Sequence, residues 1–118
     1  MAQPYRVVIR RRGKTEKRAF ATLAAAFDDL ESELRAAATV AARAPRTARA
    51  LGREYEPAEQ VAVRGELRGP GGLRAGIDVH GDGSARAYTG VVRRRPLAPV
   101  DREDAWSALR REVGLDAR

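Results

Sequence analysis

Asp78-Val79-His80-Gly81-Asp82 sets the only histidine of the chain between two carboxylates. On an extended strand Asp78 and His80 fall on one side, which suits a pair of metal ligands or an acid/base pair. The same stretch, continued by Gly83 and Ser84, is also ordinary hairpin-turn chemistry, and two or three ligands from one turn fall short of a closed structural metal site. The chain has no cysteine, which removes thiolate ligands, disulfides and a cysteine nucleophile. No serine stands in a Gly-x-Ser-x-Gly elbow, the usual setting of an activated hydroxyl. The glycines of residues 69–72 and 81–83 lack the phosphate-loop pattern and lead into no predicted helix, so no helix N-terminus would meet a phosphate there. Asp28, Asp29, Glu31 and Glu33 lie near the start of a predicted helix, where carboxylates belong to a solvated face and suit the helix dipole. The expectation is a non-catalytic chain with no cofactor and no metal.

The residues that remain for chemistry are cations. The 118-residue chain carries 23 basic and 16 acidic side chains, a formal charge of +7 and a pI near 10.9. Such a balance favours an anionic partner, either nucleic acid or an acidic protein surface. Of the 23 basic residues 21 are arginine, a skew that GC-rich coding also produces. Their placement is uneven. Arg6, Arg10, Arg11 and Arg12 crowd the first strand region; Arg46, Arg49 and Arg53 fall within residues 43–53, which hold no acid; Arg93, Arg94 and Arg95 form a third cluster. With Tyr88, these are the candidate partner-binding residues.

The elements that must position them follow from periodicity. Tyr5, Val7 and Ile9 alternate with Arg6, Val8 and Arg10, the pattern of a half-buried strand, and a turn at Gly13-Lys14 allows residues 15–20 to return. Thr22 caps a helix whose apolar stripe is Leu23, Phe27, Leu30, Leu34, Ala37 and Ala41, stopped by Pro45. Residues 43–57 read as an arginine-rich connection or a short helical turn. Val61, Val63 and Leu67, then Leu73, Ala75, Ile77 and Val79, then residues 85–94 give a three-stranded meander, its turns at residues 69–72 and 80–84. Pro96 and Pro99 end the third strand. A last helix begins at Asp101, buries Trp106, Leu109 and Val113, and stops at Gly114.

One α+β domain over residues 1–118 is predicted, in the order β(β)αβββα: a two-layer fold with both helices on one face of an antiparallel sheet. On strand alternation Arg6, Arg10, Arg64, Arg68, Arg74 and Arg86 share the other face, with Tyr88 its one aromatic. Val8, Ala62, Tyr88 and Val92 would add apolar contact area there. The order helix, three strands, helix is similar to that of double-stranded-RNA-binding domains, a likeness of topology that implies nothing residue by residue. The N-terminal stretch has neither the apolar core of a signal peptide nor a membrane span, so a cytoplasmic location without membrane contact is expected. The functional expectation is a small basic module that contacts nucleic acid or ribosomal RNA. The alternative is a protein-interaction domain that binds an acidic surface or pairs as a homodimer.

Overall fold

The computed structural model describes residues 2–43, 49–50, 53–54, 60–90, 94–100 and 102–115. Strand β1 (Tyr5–Arg11) and strand β2 (Lys14–Phe20) form a hairpin in which Arg11 faces Lys14. The turn is thus Arg12-Gly13, one residue earlier than expected, and Gly13 takes the positive φ of 67° that this two-residue connection demands. Helix α1 (Leu23–Arg43) follows. Its cap is Thr22, whose Oγ1 accepts the Ala25 N–H at 3.1 Å, and it ends two residues before Pro45.

The arginine-rich connection holds two short antiparallel strands, β3 (Arg49–Ala50) and β4 (Arg53–Glu54), where a linker or helical turn was expected. Beyond it run β5 (Val61–Gly69), β6 (Leu73–His80), β7 (Ala85–Thr89) and β8 (Arg95–Leu97). The main sheet has six antiparallel strands in the order β2-β1-β5-β6-β7-β8. The expected third strand of the meander is therefore two. Gly90, at φ 98°, lets the chain leave β7, and residues 95–97 return beside it; Val91 and Val92 lie outside the described residues. Pro96 sits inside β8 rather than ending a strand, which an edge position permits because its missing N–H breaks no ladder. The other edge, β2, carries Lys14, Glu16, Lys17 and Arg18. Charge and proline are the usual guards of exposed edges.

Helix α2 (Ala105–Glu112) starts later than Asp101, which lies outside the described residues. Asp104 is the cap, accepting the Ser107 N–H at 2.8 Å, while Glu103 is drawn back to the Val100 N–H at 3.0 Å. At the far end Gly114 (φ 88°) and Leu115 donate to the carbonyls of Arg111 and Arg110, closing the helix as expected.

Both helices pack on one face of the sheet. Val7, Ile9, Leu67, Ala75, Ile77 and Val79 point up from the strands, and Phe27, Leu30, Leu34, Trp106 and Leu109 point down onto them in one buried cluster. Gly65 permits the closest approach: a Cβ there would run into Leu34 and Leu30, so α1 crosses the sheet over a residue with no side chain. A bulge between Val61 and Val63 breaks the alternation of β5. It sets Val61 opposite His80 and turns it outward, where it is 42% exposed, instead of onto the core beside Val63 and Leu67 as expected.

Candidate basic binding face

The cross-strand register composes the other face in rows. Arg6, Arg68 and Arg74 stand opposite one another on β1, β5 and β6. Arg10, Arg64, Asp78 and Arg86 form a second row, reaching β7. Between them run Lys17, Val8, Glu66, Gly76, Tyr88 and Pro96, one residue from each strand. The six arginines expected on this face are all on it. Lys17 joins them, a residue the sequence reading did not single out although alternation along β2 places it there once the hairpin is accepted.

Like charges directly opposite repel, and two carboxylates relieve this. Asp78 takes a two-pronged contact from Arg64, Nε at 2.8 Å and Nη2 at 3.1 Å. Glu66 takes another from Arg68, at 3.0 and 3.2 Å, with Arg74 at 3.6 Å. Burial alone would push the Glu66 carboxyl up; its hydrogen bonds from Arg68 and the charges of Arg68, Arg74 and Arg10 outweigh that and hold it below the usual range. The bond to Asp78 likewise raises the Arg64 pKa. Three guanidiniums are thus fixed in place by the fold. Arg6, Arg10, Arg86 and Lys17 are exposed and form no ion pair among the described residues.

Tyr88 lies on this face, yet only 5% of it is exposed. Its ring lies over Gly76, where any Cβ would strike it, its hydroxyl points to the Gly65 carbonyl at 3.4 Å, and Arg94 stacks 5.0 Å from the ring centre. Val8 is buried as well. These two therefore add little apolar contact area, and the tyrosine offers no open ring to a base. Burial, reinforced by the nearby Asp78 charge, pushes the Tyr88 phenol up to about 12. Its neutral form is the one the fold favours, so its contribution to stability is complete below the unfolded value of about 10 and is lost as pH rises from there toward 12. A difference titration of phenolate absorbance, wild type minus Tyr88→Phe, is expected to show this group ionising near pH 12. Ionisation near 10 would mean that the ring is open to water.

The remaining expected site residues divide. Arg11 points to the helix layer and pairs with Glu33 at 2.8 Å. Arg12 is exposed in the β1–β2 turn, and Arg95 is exposed on the β8 edge, on the helix side of the sheet. Arg49 and Arg53 lie in β3 and β4, whose side chains are not described, and Arg46 and Arg93 lie outside the described residues. Arg11 belongs with a second group, in which cations neutralise the acids of α1. Arg18 reaches Asp29 at 3.0 Å and Glu33 at 3.3 Å, and Arg35 reaches Glu31 at 3.0 Å. Arg110, 8% exposed on α2, lies 3.5 Å from Glu31 and 4.6 Å from the centre of the Phe27 ring. The acids read as a solvated face are in this way ion-paired between helices and sheet.

Asp78 is engaged by Arg64, and Asp82 accepts the Ser84 N–H and hydroxyl at 2.9 and 2.6 Å. His80 is buried. Among the described residues no group of three potential metal ligands gathers, and no helix is long and apolar enough to cross a membrane. At one end of the basic face a cavity of about 640 Å³ opens, with Arg10, Arg11, Arg12 and Arg64 on its walls and the bulged Val61 and Ala62 beside them. No protein-family model matches the chain, and no match was found among curated proteins or solved structures.

Proposed function

We propose that this protein is a nucleic-acid-binding module that holds the phosphate backbone on the outer face of its sheet. The observation that supports the reading is the partition of charge. In the helix layer Arg11, Arg18, Arg35 and Arg110 are matched by the carboxylates of α1 and Arg111 by Glu103, whereas the outer face carries Arg6, Arg10, Arg64, Arg68, Arg74, Arg86, Arg94 and Lys17 against Glu66 and Asp78 alone among the described residues. Such one-sided surplus on a rigid surface is what phosphate neutralisation requires. Buried Tyr88 leaves no stacking platform on the face among the described residues, so binding depends on backbone spacing rather than on base identity. The chemistry is attachment, with no bond made or broken.

The test is binding to a fluorescent duplex over a range of salt concentrations. A linear fall of log affinity with log salt, with a slope of about −0.9 for each phosphate neutralised, is expected, together with indifference to sequence. An absence of binding at low ionic strength, where phosphate contacts are strongest, would overturn the reading.

A further inference from the structure

The cavity at the end of the basic face has a composition that the face lacks. We propose that it is a subsite for a phosphate monoester, the terminal phosphate of the strand lying along the sheet; this rests on the reading of that face as a backbone-binding surface. Four arginines line the cavity, Arg10 and Arg11 from the end of β1, Arg12 from its turn, and Arg64 from β5. Two are already matched, Arg11 by Glu33 and Arg64 by Asp78. Arg10 and Arg12 make no ion pair among the described residues, so the described lining carries a surplus of two positive charges. A phosphodiester carries one negative charge, but a terminal monoester carries close to two at neutral pH. The monoester is the better match.

Arg10 also stands in the row with Arg64 and Arg86, so the cavity and the face share a residue and form one continuous path. The bulge of β5 supplies the rest of the subsite. Val61 and Ala62, both exposed, set an apolar surface beside the arginines, suited to the sugar and base of a final nucleotide. The volume of about 640 Å³ falls in the range of small-molecule sites.

The experiment uses the whole chain and four probes: one oligonucleotide with a 5′-phosphate, with a 3′-phosphate or with neither, and a free nucleoside monophosphate. A terminal phosphate is expected to tighten binding by about tenfold at pH 7.5, and the gain should shrink below about pH 6 as the monoester takes up a proton. Arg12→Ala, an exposed turn substitution, should abolish the gain, so that strands with and without a terminal phosphate bind this variant equally. Saturable, Arg12-dependent binding of the free monophosphate without binding of any strand would retain the phosphate subsite, assign it to a free nucleotide and overturn the backbone reading. Equal binding of all three strands, with the free monophosphate unbound, would overturn the subsite and leave the backbone reading standing. No binding of any probe would overturn both.

Discussion

Replacing Arg6, Arg10 and Arg86 together by alanine is expected to lower the salt slope of duplex binding by about 3 and to weaken binding at low salt on the order of 100- to 1,000-fold, because each arginine accounts for one phosphate neutralised. These three serve best because the fold depends on them least, Arg10 acting on Glu66 only through its charge. Each is exposed and makes no ion pair among the described residues, so stability should change by no more than about 0.5 kcal/mol for each replacement. Arg64 and Arg68 would be poorer choices, since removing either strips a carboxylate of its partner and confounds binding with folding. Arg111→Ala is the matched control: it removes a cation that pairs with Glu103 in the helix layer, at 2.9 Å, and should leave the slope unchanged. A triple variant with the wild-type slope would show that phosphates do not lie on this face.

Gly76→Ala is expected to destabilise the protein by about 3 kcal/mol, the upper end of what overpacking costs. A single methyl group on Gly76 meets two obstacles, the Tyr88 hydroxyl and the Gly65 carbonyl of the neighbouring strand. They can be separated. Adding Tyr88→Ala removes the ring but not the carbonyl, so the double variant should recover only part of the loss expected from summing the two single changes. Full recovery would assign the whole clash to the ring, and Gly76→Ala with wild-type stability in denaturant unfolding would mean that the ring does not rest on Gly76.

The outward arginines were legible because strand alternation needs no knowledge of neighbours: Arg6 and Arg10, or Arg64 and Arg68, share a face on any sheet. Their partners were not. That Glu66 holds Arg74 as well as Arg68, and that Asp78 holds Arg64, depends on the register between β5 and β6, which the turn at residues 69–72 settles only once its length and geometry are known. The same gap hid the role of Arg110. Its place on α2 was readable, but the Phe27 ring and the Glu31 carboxylate come from another helix some 80 positions away. Tyr88 was placed on the correct face with the wrong accessibility, since only the pairing of β6 with β7 brings Gly76 beneath its ring. Irregularities also escaped the periodic reading. The bulge at Val61 reverses one residue's direction without any glycine or proline to announce it, and β8 is too short, and too compromised by Pro96, to resemble a strand in isolation.

The guarded edges of the sheet bear on how copies would distribute along a nucleic acid. Lysines at one margin and a proline at the other disfavour edge-to-edge pairing with a neighbouring molecule. If pairing through these edges is suppressed, occupancy along a duplex should rise as for independent sites. The footprint of each is then a matter of sheet width: five gaps of about 4.8 Å span roughly 24 Å, close to seven steps of duplex at about 3.4 Å each.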